Sequence, residues 1–270
     1  MLTQKLRRLR LGRAADAVEA HHQQALKDKL GYLEFLEHLV DDELNSRDNK
    51  GLQKRLRSAR FPVVKTLEDF DFAFQPKLDA KIIKSLATCE FVTQHENVLF
   101  IGPPGVGKSH LGTSLAVKAC MRGHSVIFTT IQHLASRVSA AMADLSLERL
   151  IAQYVEADLV VLDELGFTPL NKVVADHIFR VVAERYERGS IIITSNKPFE
   201  QWGEMFADPI LATAVLDRLV HHAHVVPIIG DSYRTREQRA KVEAATEPAE
   251  PAKSPSKSRS TSRSQPAGSP

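Results

Sequence analysis

A glycine-rich loop between two apolar segments is the part of the sequence with the most specific chemistry. It spans residues 102–109, follows the apolar run 98–101 and precedes a segment with a helical pattern. Glycines permit positive φ and a close approach of backbone N–H groups to an anion, and the N-terminus of a following helix adds its positive dipole end. Lys108 would contact the β- and γ-phosphates of ATP, and the Ser109 hydroxyl would ligate Mg²⁺. The predicted nucleotide contacts are Gly102, Pro103, Pro104, Gly105, Val106, Gly107, Lys108, Ser109 and His110.

Two adjacent carboxylates, Asp163 and Glu164, follow the apolar run 159–162. Four consecutive aliphatic residues are typical of a central parallel strand, and ligands of open α/β sheets bind at the carboxyl ends of such strands. Asp163 is suited to hold Mg²⁺, through water or together with Ser109, and Glu164 to orient and activate an attacking water. An acidic turn is the alternative, but the strand before the pair and its order along the chain favour a catalytic role.

A third polar residue, Asn196, ends the apolar run 190–195. In the strand order expected for this class of fold, its strand lies between the phosphate loop and the strand of Asp163. Asn196 would then hydrogen-bond the γ-phosphate or the lytic water. Taken alone, it would be interpreted as a turn residue before Lys197 and Pro198.

Arg218 lies on a predicted helix shortly before the last strand, 224–229. An arginine there can reach away from its own site to the nucleotide of a neighbouring subunit, and such a finger typically raises the rate 10³- to 10⁵-fold. The alternative is a surface arginine paired with Asp217 or Glu204. His221, His222 and His224 resemble a metal cluster, but no cysteine or carboxylate completes a ligand set, so they are interpreted as surface and strand-edge histidines.

These residues require a parallel sheet to position them. Apolar runs and turn residues predict strands at 97–101, 125–130, 158–164, 190–196 and 224–229. Helical patterns predict helices at 77–93, after the phosphate loop, and at 134–154 and 173–188. The fold class is therefore α/β, a phosphate-loop core with a five-stranded parallel sheet flanked by helices, over residues 66–244.

Residues 1–65 are predicted to form an all-helical domain, a small bundle or hairpin with apolar residues at helical spacing. Its last part carries six cations and no acidic residue between Asp48 and Glu68. A solvated helix face would explain the charge, but beside a nucleotide-driven domain a phosphate backbone is the better interpretation. If all six contacted phosphates, log K would fall with log salt with a slope of roughly −5. The predicted DNA contacts are Lys50, Lys54, Arg55, Arg57 and Arg60.

A connector, 66–74, is predicted to be extended, with Phe70, Phe72 and Phe74 on one face. They would cover the core at the domain junction, or one of them would pack beside the adenine. Residues 245–270 are rich in Pro, Ala, Ser, Lys and Arg, a composition that predicts a disordered tail.

The composition limits which kinds of protein this chain can be. With 43% hydrophobic residues the chain can form a substantial core, and a net charge of +3 does not by itself imply nucleic acid. The sequence shows neither a signal-peptide pattern nor an apolar stretch long enough to span a membrane, so we expect a cytoplasmic protein without a membrane partner. Cys89 and Cys120 lack metal-ligand spacing and are predicted to be buried or half-buried, reduced thiols.

Several of these segments together resemble the IstB family of AAA+ ATPases, helpers of insertion-sequence transposition related to DnaC-type helicase loaders. The segments that carry the resemblance are 59–62, 66–72, 102–111, 162–170, 185–196 and 202–219. The likeness spans about residues 1–240. It implies an ATP- and Mg²⁺-dependent oligomer that binds and deforms double-stranded target DNA and presents it to a separate transposase.

The resemblance also implies roles for single residues: Lys108 and Ser109 as nucleotide and Mg²⁺ contacts, Asp163 and Glu164 as the metal and water pair, Asn196 as first sensor and Arg218 as finger. Ser109 replaces the threonine of many relatives, which is neutral for Mg²⁺. The short segment after the last strand leaves no room for a full helical lid. The nearby candidates for a second sensor are therefore Arg234 and Arg236.

Three other functions compete with the transposition helper. A replicative helicase loader belongs to the same class and would act on a helicase ring. An ATP-gated DNA-binding scaffold would bind ATP and scarcely hydrolyse it. A small-molecule kinase is disfavoured by the basic N-terminal helix and by the lack of a recognisable acceptor pocket.

Overall fold

The strands predicted from the apolar runs form one parallel sheet in the computed structural model of the chain, which describes residues 1–167, 170–206, 208–233 and 235. They are β1 (Asn97–Ile101), β2 (Val126–Thr130), β3 (Leu159–Leu165), β4 (Ser190–Ser195) and β5 (Ala223–Pro227). The order across the sheet is β2-β3-β4-β1-β5, and each neighbouring pair is parallel. The prediction that the Asn196 strand lies between the other two site-bearing strands is therefore confirmed.

Helices precede, connect and cover these strands. They are α1 (Leu2–Arg8), α2 (Gly12–Asp28), α3 (Tyr32–Ala59), α4 (Ala80–Leu86), α5 (Glu90–Thr93), α6 (Lys108–Met121), α7 (Ile131–Ala143), α8 (Leu147–Glu156), α9 (Lys172–Arg185), α10 (Trp202–Met205) and α11 (Pro209–His221). Short 3₁₀ turns lie at Phe72–Phe74 and Phe199–Gln201.

Two predicted helices are each interrupted by a residue in the left-handed region. The predicted helix 77–93 is divided into α4 and α5, with Cys89 at φ 62° between them. The predicted helix 134–154 is divided into α7 and α8, with Leu145 at φ 60°. A left-handed residue other than glycine is strained within a helix and normally ends it, which the periodic apolar pattern did not reveal.

The sheet separates two apolar layers, because successive residues of a strand point to opposite faces. In β1, for example, Leu99 joins the layer formed with α7 to α11, whereas Val98 and Phe100 join the layer formed with α3 to α6. All three side chains are fully buried. Met1–Tyr233 form one compact unit.

The N-terminal region is helical, as predicted, and Leu39 of its apolar pattern is buried, but most of the other apolar residues of that pattern are not. Small and polar groups of α2 and α3 are buried as well: Ala14, Ala15 and Ala17 are buried, and the buried Glu43 carboxylate accepts from the backbone N–H of Ala14 at 2.9 Å. Small side chains let two helices approach closely. The apolar residues expected to form a bundle core are at least half exposed at Leu2, Leu9, Leu33, Leu36, Val40 and Leu44.

Helix α3 links this region to the core, since Ala59 near its end is fully buried there. The connector that follows contains turns and a 3₁₀ segment and is not the extended strand that the sequence suggested. Leu67, Phe70 and Phe72 pack against the core layer of α6, so the core-covering interpretation of these phenylalanines is confirmed for two of the three.

Both cysteines are free and buried, as predicted. Burial raises the pKa of both thiols, that of Cys120 to about 11. Among the described helices, none is long and apolar enough to cross a bilayer. Arg234, Arg236 and the predicted tail 245–270 lie outside the described residues.

Candidate nucleotide site at the carboxyl edge of the sheet

The phosphate loop connects the end of β1 to the start of α6. Gly105 and Gly107 have φ of 84° and 98°, in the left-handed region that favours glycine. A Cβ on Gly107 would lie 2.5 Å from the Phe70 ring, and one on Gly105 would lie 2.1 Å from Ser232 Oγ. These two positions therefore require glycine both for conformation and for space.

The loop closes around Lys108, the first residue of α6. The Lys108 ammonium donates to the carbonyls of Gly102 at 2.8 Å and Pro103 at 2.7 Å, and the side chain is mostly buried. Its charge is therefore held at the mouth of the loop, beside the N-terminus of a 14-residue helix. Val106 points into the core, so only its backbone faces the loop.

His110 contacts the connector with its side chain. Its Nε2 is 2.8 Å from the Thr66 carbonyl oxygen, and its ring meets Phe70 edge to face at 5.4 Å. About two turns further along α6, Lys118 donates to Glu68 at 2.8 Å, which lowers the pKa of that carboxyl to about 2. The connector is thus held against the same helix that begins at the phosphate loop.

Asp163 lies in β3, is buried, and shares a hydrogen-bond partner with its neighbour. Thr194 of β4 donates its hydroxyl to Asp163 Oδ1 and accepts the backbone N–H of Glu164 at 3.0 Å. One side chain therefore orients both members of the acidic pair. Sequence reasoning missed Thr194, although a hydroxyl residue after three isoleucines at the polar end of a strand was a usable signal.

Glu164 is turned away from its neighbours by an irregularity in the strand. The register between β3 and β4 shifts between Leu162 and Leu165, and Glu164 has φ 64°. It is exposed, whereas Asp163 and Leu165 on either side are buried. Bulges and strained backbone of this kind occur beside active sites, where they redirect a side chain.

Asn196 follows β4, and its side chain lies beside Gly166 in the turn after the acidic pair. Its Oδ1 is buried and has no hydrogen-bond partner within the described part of the chain, and it lies 2.7 Å from the position of a Cβ on Gly166. Gly166, with φ 107°, leaves room for this carbonyl. A buried acceptor without a partner is costly unless a ligand or water completes it.

A segment after β5 runs along the other side of the phosphate loop, which the sequence did not indicate. The backbone N–H of Ile228 donates to Ile101 at 2.8 Å, and that of Tyr233 donates to Gly105 at 3.0 Å. Gln75, the residue after the connector, donates to the Asp231 carbonyl at 3.2 Å, and Phe74 of the connector contacts the Tyr233 ring at 5.2 Å between ring centres. The connector and this segment therefore flank the loop from two sides.

Arg218 lies at the opposite edge of the sheet. It borders a cleft together with Asn97, the first residue of β1, whereas the phosphate loop follows the last residue of that strand. Its Nη1 donates to the Ala214 carbonyl at 3.0 Å, and its guanidinium lies 5.1 Å from the Phe179 ring centre. Glu204, one of the alternative partners, is paired with Lys197.

The predicted DNA contacts divide into two groups. Lys50, Lys54 and Arg57 project to solvent from α3, and Arg60 is exposed just after it. Arg55 is half-buried, and its Nε donates to the Cys120 carbonyl at 2.8 Å. Its role in the described structure is to hold α3 against the end of α6.

A parallel sheet in which a phosphate loop follows β1, an acidic pair lies at the end of β3 and a polar residue follows the strand between them is the architecture of the phosphate-loop AAA+ fold. Two solved structures share the fold at 20% identity: AMPPCP-bound DnaA from Aquifex aeolicus, with a TM-score of 0.53 over 68% of this chain and 56% of that one, and DnaI, with 0.52 over 61% and 90%.

The family follows from the sequence itself. Residues 4–241 match the family described as IstB-like ATP binding protein, and the chain belongs to it. It is 47% identical over 234 residues to an insertion sequence IS21 putative ATP-binding protein from Pseudomonas aeruginosa, covering 87% of this chain and 88% of that protein. It is 38% identical over 236 residues to the IS5376 counterpart from Geobacillus stearothermophilus, covering 87% and 94%.

Proposed function

We propose that this protein is an ATPase of insertion-sequence transposition that assembles on double-stranded DNA, with ATP bound at the carboxyl edge of its sheet. One observation carries the proposal. The phosphate loop follows β1, Asn196 follows β4 and the acidic pair lies at the carboxyl end of β3, and these three strands are adjacent, so their carboxyl ends meet at one edge of the sheet. The names of the relatives, putative ATP-binding proteins of insertion sequences, support the biological setting.

The residues at this edge fit ATP with Mg²⁺. Asp163 and Ser109 offer the oxygen ligands that Mg²⁺ prefers, and bound Mg²⁺ would neutralise phosphate charge. Lys108 would exchange its two loop carbonyls for phosphate oxygens. Glu164, exposed and redirected by the bulge, would orient a water and accept its proton, while Asn196 Oδ1 would accept a hydrogen bond from the same water.

Assembly and DNA binding complete the proposal. Arg218 is remote from the phosphate loop of its own chain, so a catalytic role for it requires a second subunit. The exposed cations of α3 and its end, Lys50, Lys54, Arg57 and Arg60, would contact the DNA backbone. The assembled protein would then recruit or regulate the transposase, with hydrolysis as the step that releases or remodels the complex.

The test is sedimentation of the full chain with duplex DNA in the presence of ATP, ADP or no nucleotide. We expect large DNA-bound assemblies that require ATP. Replacing Lys50, Lys54 and Arg57 together with Gln should weaken DNA binding and make the salt slope shallower by about three. The matched control replaces three exposed lysines elsewhere, Lys77, Lys81 and Lys84. A monomer indifferent to DNA and nucleotide would contradict the proposal.

Glu164→Gln separates an ATPase from an ATP-gated scaffold. The variant should bind ATP normally and lose at least about 100-fold in hydrolysis, the usual contribution of a general base, so that DNA-bound assemblies persist. Glu200→Gln, at another exposed glutamate, is the control and should behave as wild type. If wild type hydrolyses ATP no faster than Glu164→Gln, the scaffold is the correct function.

A further inference from the structure

Three metal-ligating side chains lie together at the edge of the sheet away from the phosphate loop: Glu187, His221 and His222. One ligand atom from each lies within 4.8 Å of the other two, and all three residues are exposed. Within residues 1–167, 170–206, 208–233 and 235, no other such group of three occurs. The two histidines lacked a carboxylate partner in the sequence, and the fold provides one from the loop before β4.

The backbone explains why these residues meet. Glu187 has φ 57° in the turn after α9, which directs its side chain towards the end of α11. His221 is the last residue of α11, and His222 leaves the helix with φ −127° and ψ 76°. Consecutive residues of a continuous helix would point about 100° apart. Here the helix ends between them, and the two ring centres are 4.1 Å apart.

A neighbouring hydroxyl fixes one of the rings. Tyr186 Oη lies 2.6 Å from His221 Nδ1, with the two rings stacked at 5.9 Å. A metal-ligating histidine usually engages its second ring nitrogen with such an outer partner, which orients the ring and leaves the other nitrogen for the ion. This contact therefore leaves His221 Nε2 for coordination.

We propose that Glu187, His221 and His222 bind a divalent transition-metal ion of the zinc class. Two imidazoles and one carboxylate are a common three-ligand set for Zn²⁺, whose fourth position takes water. Bonds of about 2.0–2.2 Å place tetrahedral ligand atoms about 3.4 Å apart. His222 Nε2 and Glu187 Oε1 are already 3.7 Å apart, and exposed side chains need only small rotations to converge.

The ion would join the turn after α9 to the end of α11. These two helices carry Phe179 and Arg218, whose side chains are in contact, so the ion would limit their separation. The metal site is independent of the proposed function, because it uses neither the phosphate loop nor DNA. Only its consequence for a finger role of Arg218 depends on that function.

The test is calorimetric titration of the full, tag-free, EDTA-treated chain with Zn²⁺, without nucleotide or Mg²⁺. We expect one saturable site with Kd of about 10 μM or tighter, and at least tenfold weaker binding in Glu187→Gln and in His222→Ala. The matched control is His224→Ala, which removes another exposed histidine that faces a carboxylate, Glu96, at 2.8 Å. It should bind Zn²⁺ as wild type does.

Three outcomes would overturn the proposal. These are no saturable binding by wild type up to about 100 μM Zn²⁺, unchanged binding in both cluster variants, and equal binding of Mg²⁺, which prefers oxygen ligands. Circular dichroism checks that each variant is folded, and Glu187→Gln preserves side-chain size if the alanine variant is unstable. Co²⁺ titrated in place of Zn²⁺ gives a second readout, visible absorption of tetrahedral Co²⁺ that both cluster variants should lose.

Discussion

The carboxyl ends and the amino ends of the strands form two edges of the sheet, and charged residues have different roles at each. At the carboxyl edge, Lys108, Asp163 and Asn196 lie at or just beyond the ends of adjacent strands. At the amino edge, Arg185 and Arg218 line one cleft, yet neither approaches the phosphate loop. The four residue steps of β1 separate the two edges by about 13 Å.

Arg185 shows what a charge at the amino edge does within one chain. It is fully buried and donates to the carbonyls of Tyr154, Val155, Ala157, Asp158 and Ser190. These acceptors include carbonyls near the end of α8, which no helix hydrogen bond satisfies. Burial lowers the pKa of Arg185 to about 10, so it stays charged at neutral pH.

The edge of the sheet at which a cation lies therefore decides which groups it can bind. At the carboxyl edge Lys108 also donates to two carbonyls, but it lies beside glycine-rich backbone and a helix N-terminus, which suit an anionic ligand. A cation at the amino edge meets carbonyls, which it can satisfy, or it turns outward to another molecule. Arg185 binds carbonyls of its own chain, and we propose that Arg218 reaches another molecule.

The largest effect is expected for Arg218→Ala. ATP affinity should be unchanged, because the residue is remote from its own phosphate loop, while hydrolysis by the assembled protein should fall about 10³-fold. The measurement is steady-state hydrolysis beside equilibrium nucleotide binding. Arg188→Ala, at an exposed arginine near the same edge, is the control and should hydrolyse ATP at the wild-type rate.

Mixing variants sharpens this prediction. Lys108→Ala removes the phosphate-loop lysine, and Arg218→Ala removes the finger. Each variant alone should therefore be inactive. Together they should recover part of the hydrolysis, since the first variant supplies Arg218 to the second. Activity of Arg218→Ala alone, or no recovery on mixing, would contradict a finger acting between subunits.

The next effect is on stability. Arg185→Lys keeps the charge but cannot reach five carbonyls with one planar group, so the free energy of unfolding should fall by about 3 kcal/mol. Chemical denaturation measures it, and Arg188→Lys in the following turn should change it by less than about 0.5 kcal/mol. Equal stability of the two variants would mean that the carbonyls find other partners.

The smallest effect is expected for Thr194→Val at the carboxyl edge. Losing the hydroxyl that orients Asp163 and Glu164 should cost about 1.4 kcal/mol, or a tenfold rise in the Mg²⁺ concentration that half-saturates hydrolysis. Thr213→Val is the control, because the hydroxyl of that exposed threonine bonds within its own helix. An unchanged Mg²⁺ requirement would show that Thr194 does not position the acidic pair.

Local patterns carried much of the prediction. Short local patterns were enough to predict the phosphate loop from its glycines, β3 from the aliphatic run before Asp163 and β4 from the isoleucines before Asn196. The predicted strands agree with the structure to within two residues at each end. The N-terminal helices were also recognised. Their buried face was recognised only at Leu39, because leucines at helical spacing do not reveal that alanines of α2 are buried while most of these leucines are exposed.

The sequence by itself determined the class of protein, the strands and the residues at their ends, because backbone preference and alternating burial act over short distances. Only the tertiary structure decided that Thr194 would bridge the acidic pair, that Arg185 would satisfy carbonyls from three elements, and that Glu187 would meet two histidines. Apart from the bond of Arg185 to Ser190, these contacts join residues 27 to 35 positions apart in sequence. They depend on which strands are neighbours and where each helix ends, which no local pattern specifies.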